Sequence, residues 1–180
     1  MRKFGSSLVL FLALNAGISW AQWHEDGKIL PDVAWRKSVG TFGAMLMLTD
    51  DPKNFFEQWS RPPAPDYKPR ITTVTETRRG GRVAALVFFV GCQPDKSGNC
   101  DVDADYQLFR PDGSVYGGQK NIELSRGKAA PVPNIQVGVR VFELRVEPED
   151  PFGTYTFEAR VRDRNANVEM VLTQELTVVR

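Results

Sequence analysis

One histidine, His24, and two cysteines, Cys92 and Cys100, are all that 180 residues hold of these types. So few ligands leave little material for a metalloenzyme, and no Ser-His-Asp or Cys-His arrangement can be assembled from them. Charge of one sign is missing too: 23 Lys and Arg face 22 Asp and Glu, a net of +1. That balance supplies no basic field for nucleic acid and no acidic tail. Internal repeats and low-complexity tracts are lacking. No apolar run reaches the roughly 20 residues needed to cross a hydrocarbon core of about 30 Å. What is there is ordinary globular material, 42% hydrophobic, which is too apolar for a disordered chain.

The first 21 residues read as an address. Arg2 and Lys3 supply positive charge, residues 8–14 form a short apolar stretch, and Ser19-Trp20-Ala21 places small residues where a signal peptidase inspects them. The expectation is cleavage after Ala21 and a periplasmic or secreted destination. The cysteines fit such an oxidising compartment. Cys92 and Cys100 enclose Gln-Pro-Asp-Lys-Ser-Gly-Asn, a run of turn formers that brings two sulfurs together. Their spacing matches neither zinc sites nor Cys-x-x-Cys, so a structural disulfide is the reading.

The rest divides at about residue 70. Residues 22–70 are read as an N-terminal extension. Phe42-Gly43-Ala44-Met45-Leu46-Met47-Leu48 predicts a strand. Asp51-Pro52 then supplies a helix cap and first turn, and Phe55, Phe56 and Trp59 recur at helical spacing. Arg61-Pro62-Pro63-Ala64-Pro65-Asp66-Tyr67-Lys68-Pro69 is a stiff connector that excludes helix and central strand.

Residues 71–180 carry β patterns throughout. A β-branched run from Ile71 to Thr77 comes first, and Val83 to Val90 is apolar almost without a break, as in a strand covered on both faces. Val102, Ala104, Tyr106 and Leu108 alternate with Asp101, Asp103, Asp105 and Gln107, the pattern of a half-buried strand. Between Ile135 and Val146 the apolar phase flips, which calls for a bulge or a bend passing the chain from one sheet to the other. Alternating strands around Tyr155–Val161 and Val168–Val178 complete six or seven, the count of an all-β antiparallel sandwich.

At Asp150-Pro151-Phe152-Gly153-Thr154-Tyr155-Thr156-Phe157 the chain resembles the tyrosine corner of immunoglobulin-like and fibronectin-like domains. The resemblance covers about residues 71–180. It implies that Tyr155 returns its hydroxyl to the upstream backbone, with Asp150 and Gly153 shaping the corner. Phe157 would stand where antibody domains place their second core cysteine. Cys92 and Cys100 are too close in sequence to bridge two sheets, so the implied immunoglobulin-like β-sandwich lacks that bond. The whole chain also resembles small secreted bacterial proteins of this fold without an assigned activity. A fold of this kind implies architecture, since it hosts many functions.

Five sets of residues could carry chemistry. Cleavage after Ala21 would expose Gln22-Trp23-His24, whose amine, two amides and imidazole suit square-planar Cu(II); a shifted cut or cyclised Gln22 destroys that set. Asp101, Asp103, Asp105 and Asp112 echo a calcium loop, yet Tyr106 stands where a sharp turn needs Gly. A solvated acidic face guarding a sheet edge is the plainer reading. Arg140, Arg145, Arg160, Arg162 and Arg164 form either a basic strip for an anionic polymer or cross-strand partners of Glu143, Glu147 and Glu158. Met45 and Met47 suit Cu(I) or, more simply, fill the core. Trp59, Pro62, Pro63, Pro65 and Tyr67 offer rigid amphipathic surface to a partner, or else Trp59 seals the helix onto the sandwich.

The sequence therefore predicts an all-β, antiparallel immunoglobulin-like sandwich with a short N-terminal strand–helix extension. The function it suggests is a non-enzymatic binding or accessory module of the bacterial cell envelope. Contact is expected with an envelope or extracellular protein through sheet edges or the loop between Trp59 and Tyr67. No cofactor, nucleic acid or membrane span is expected. Periplasmic copper handling through His24 is the alternative.

Overall fold

A computed structural model describes residues 23–25, 28–62 and 67–180; of His24, Glu25 and Ile29 it describes the backbone alone. The leader, Pro63 and the His24 imidazole lie outside the described residues. The strands are β1 (His24–Glu25), β2 (Lys28–Ile29), β3 (Arg36–Val39), β4 (Phe42–Thr49), β5 (Glu76–Arg78), β6 (Arg82–Val90), β7 (Val102–Phe109), β8 (Val115–Ser125), β9 (Gln136–Val137), β10 (Phe142–Arg145), β11 (Gly153–Asp163) and β12 (Val168–Val179). The helix α1 spans Pro52–Trp59. β1 and β2 form a small ribbon. One five-stranded sheet runs β10-β6-β4-β3 with β9 also on β6, and the other runs β5-β12-β11-β7-β8. All pairs are antiparallel except β5 with β12.

The apolar run of β6 shows why the two faces of the first sheet differ. Val83, Ala85, Val87 and Phe89 enter the main core between the sheets, while Ala84, Leu86 and Phe88 point the other way into a second, smaller core. A strand rich in Val, Leu and Phe at consecutive positions needs a cover on both sides. The second sheet supplies one and α1 the other. α1 starts where Asp51 Oδ1 accepts from the Asn54 N–H at 3.1 Å, with Pro52 in its first turn. Its Phe55 side chain is buried, 5.4 Å from the Phe88 ring. Met45 and Met47 pack against this second core, as filler residues do.

The sandwich reaches back beyond the boundary drawn at residue 70. β4 lies between β6 and β3, so part of the supposed extension is built into the first sheet. The reason is register: Gly43 through Thr49 pair in order with Val90 through Ala84, a non-local match that local patterning does not reveal. The phase flip between Ile135 and Val146 also resolves differently from expectation. β9 and β10 both pair with β6, so the chain stays on the first sheet and breaks its strand between them. At the break, Gly138 N–H donates to Val87 O at 2.8 Å and Val139 N–H to Leu124 O of β8 at 3.1 Å. A Cβ on Gly138 would meet Leu124 Cδ2 at 2.7 Å, so a larger residue at the crossing would have to displace that buried side chain. The opposite flank is bridged too, by Thr173 N–H to Ala34 O at 2.9 Å and Val74 N–H to Leu48 O at 3.0 Å.

The corner motif forms as the resemblance implied. Tyr155, buried on β11, donates its hydroxyl to Pro151 O at 3.0 Å. The Asp150 carboxylate accepts from Tyr116 Oη at 2.9 Å and from the Glu147 N–H at 2.7 Å. Gly153 sits at φ 127°, a conformation that L side chains rarely adopt. Phe157 is buried with its ring 6.2 Å from Phe142. The molecule is an antiparallel immunoglobulin-like β-sandwich, held by packing where antibody domains add a bridge.

Tyr106 carries a polar group into the core without a partner. Its ring stacks on Phe142 at 5.5 Å and its side chain is buried, yet its hydroxyl has no hydrogen-bond partner. An unpartnered buried hydroxyl costs about 1–3 kcal/mol. Tyr106→Phe is therefore expected to raise stability by about 1 kcal/mol in urea titrations at neutral pH. Burial holds the Tyr106 phenol above its ordinary range, and burial with the Asp150 hydrogen bond pushes Tyr116 up to about 12. Groups raised in this way stabilise the fold fully below pH of about 10 and lose that contribution as pH rises past it. The wild type should therefore lose stability between about pH 10 and 12, and Tyr106→Phe should lose less.

Candidate binding groove

The end of α1 and two proline-containing segments build one cleft. Trp59 closes the helix, its ring 5.5 Å from Phe55 and 6.0 Å from Phe88. Residues 67–70 lie beside the end of the helix. Tyr67 Oη donates to Gln58 O at 3.2 Å, and the Arg70 N–H donates to Gln58 Oε1 at 3.1 Å. Gln58 thus ties the far limb of the connector to the helix by backbone and side chain. The opposite wall is a turn in which Asn134 N–H donates to Pro131 O at 2.8 Å. Gln136 Oε1 accepts from the Ala130 N–H at 3.2 Å, holding the base of that turn.

Between these walls runs a groove of about 700 Å³, within the size range of ligand-holding clefts. Trp59, Tyr67, Pro69, Pro133 and Ile135 give it rings and aliphatic faces, and Arg61 and Lys68 are the charged residues lining it. Ile135 and Val132 beside it are each 42% exposed. Exposed apolar groups gathered around rigid rings are the usual signature of a contact site.

The structure brings Trp59 and Tyr67 together: Trp59 packs on the second core, as the sealing role requires, and also lines the groove. Pro62 is exposed and is not among the lining residues. The wall at residues 131–135 was missed from sequence. Its signal was Pro131-Val132-Pro133-Asn134-Ile135, apolar residues set in a proline turn.

The remaining candidates are structural where described. Cys92 and Cys100 are joined, both buried, with Cα atoms 5.8 Å apart, and they pin the loop between them. The acidic row of β7 is not a solvated edge guard, because β7 lies between β11 and β8. Asp103 is buried and accepts from Arg162 Nε and Arg164 Nε, each at 2.6 Å. Asp105 accepts from both terminal nitrogens of Arg162 at 2.7 Å, and Asp101 pairs with Arg126. That hydrogen bonding, chiefly from Arg162, pulls the Asp105 carboxyl down to about 2. Arg162 and Arg164 thus pair with aspartates and Arg160 with Glu169 at 2.6 Å, whereas Glu143, Glu147 and Glu158 had been the expected partners. Only Arg145 with Glu147, at 3.8 Å, follows that expectation. Asp112 serves the β7–β8 turn, accepting from Ser114 N–H at 2.9 Å. Among the described residues, no three His, Cys, Asp or Glu side chains are placed to share a metal ion. No helix among them is long and apolar enough to cross a membrane.

No protein-family model matches the chain, and no curated protein does. Several solved structures are similar to parts of it. A family 123 glycoside hydrolase from Clostridium perfringens aligns over 77% of this chain at 11% identity and a TM-score of 0.46; the match spans 27% of the hydrolase. A CARDB domain from Pyrococcus furiosus, in complex with di-metal ions, aligns over 59% of this chain and 81% of its own at 17% identity and a TM-score of 0.36. The PKD domain of an M14-like peptidase from a Thermoplasmatales archaeon aligns over 61% of this chain and 90% of its own, at 21% identity and a TM-score of 0.32.

Proposed function

We propose that this chain is an exported, non-enzymatic binding or accessory module of the bacterial cell envelope, acting through protein–protein contacts at the groove beside Trp59. The observation that carries this reading is the groove's aromatic and apolar lining, braced by the packing behind it. Trp59 is fixed by Phe55 and Phe88, Tyr67 is fixed by Gln58, and the facing wall is set by prolines. Walls already ordered lose little entropy when a partner docks, so contact area there converts efficiently into affinity. Export is supported by the leader pattern at residues 1–21 and by the Cys92–Cys100 bond, which belongs to oxidising compartments.

Ile135→Asp provides the test, because the residue is 42% exposed and its replacement should leave the fold intact. Both proteins are purified from the cross-linked envelope fraction of the native host. A partner protein in stoichiometric amount with the wild type, and lost with Ile135→Asp, is the expected result. Equal recovery with both would refute the groove. Bound copper without a protein partner would instead favour the terminal His24 reading.

A further inference from the structure

Resting on that reading, we infer that the groove's occupant is an extended, proline-containing segment of another protein that carries a carboxylate. Charge supplies the first half of the argument. Arg126, Arg160, Arg162 and Arg164 each hold a carboxylate partner. Among the described residues Arg61 and Lys68 have none, and no described carboxylate lines the groove with them. Arg61 instead lies with its guanidinium carbon 5.6 Å from the centre of the Tyr67 ring. Two exposed cations beside apolar walls give the described part of the groove a local positive field, one that added salt screens. The complementary ligand group is an anion, and a planar carboxylate matches the fork of the guanidinium.

The walls supply the second half. Two aromatic rings and two prolines make a ridged apolar surface that reads side-chain faces. Aromatic-lined grooves of this kind take polyproline-type segments, which are already extended and have no internal hydrogen bonds to break. The chain's own stretch Pro62-Pro63-Ala64-Pro65-Asp66 has this composition, so a second copy offering that stretch is the rival occupant.

The probe is a synthetic labelled peptide in which proline and leucine flank a pair of glutamates, with a glutamine twin as control. Fluorescence anisotropy on the full chain should show the acidic peptide binding about tenfold more tightly than its twin. The double variant Arg61→Gln with Lys68→Gln should erase that preference, and added salt should narrow it. Folding of that variant is checked by circular dichroism; both positions lie at the groove surface. Equal binding of the two peptides overturns the inference while leaving the groove reading untouched, provided Ile135→Asp still releases the partner. Failure of both peptides to bind overturns it as well. So does a concentration-dependent dimer, by sedimentation, that the acidic peptide fails to displace.

Discussion

Replacing Arg162 with methionine is expected to destabilise the fold by about 3 kcal/mol, at the lower end of what breaking a buried ion pair costs. The side chain is 13% exposed and reaches two carboxylates from the neighbouring strand β7. Asp103, 7% exposed, would keep only Arg164, while Asp105 would lose both of its guanidinium bonds. Desolvation makes an abandoned charge costlier than the original pair was favourable. Urea titrations at neutral pH give the magnitude, and adding Asp105→Asn to the variant should recover part of the loss. The pH dependence tests the cause. A carboxyl held at about 2 when folded and near 4 when unfolded stabilises the native state above about pH 4 and loses that contribution as pH falls toward 2. In Arg162→Met the slope across that window should flatten. An unchanged slope would mean that Arg162 is not what holds Asp105 ionised.

Phe88→Ala should cost more, about 3–5 kcal/mol, the usual range for emptying a buried aromatic site. Phe88 is 4% exposed and packs on Phe55 at 5.4 Å and Trp59 at 6.0 Å. It sits on β6, which, like β4, turns alternate residues into each core. Its loss therefore loosens α1 and withdraws the support under Trp59 at the groove. Phe88→Leu, which keeps most of the volume, should cost less than half as much and retain peptide binding. If Phe88→Ala lost stability while binding the acidic peptide undiminished, the floor of the groove would have to lie elsewhere than on Trp59.

Local physics made much of this architecture readable. The unbroken apolar run of β6, the period-two alternation of β7, the Asp51-Pro52 helix start and the Tyr155 corner each express a rule acting within a few residues. The illegible parts depend on distant partners. Nothing within 42–48 announces that β4 will pair with β6. The acidic positions of β7 looked solvated because Arg162 and Arg164 come almost sixty residues later. Half of the groove was visible in Trp59 and Tyr67, but its facing wall comes from residues 131–135, which only the path of β9 along β6 brings near. The strand break at Gly138 imitated a change of sheet because both events flip the apolar phase.

The place of β12 has a consequence for how the chain is made. This twelve-residue strand comes last among the described strands, yet it lies inside its sheet, between β11 and a strand from residues 76–78, and it bonds to the backbone of Ala34. β5 has no strand to pair with until β12 has been made, about ninety residues later. Such long-range closure is slow, and it keeps a nascent polypeptide loose until late.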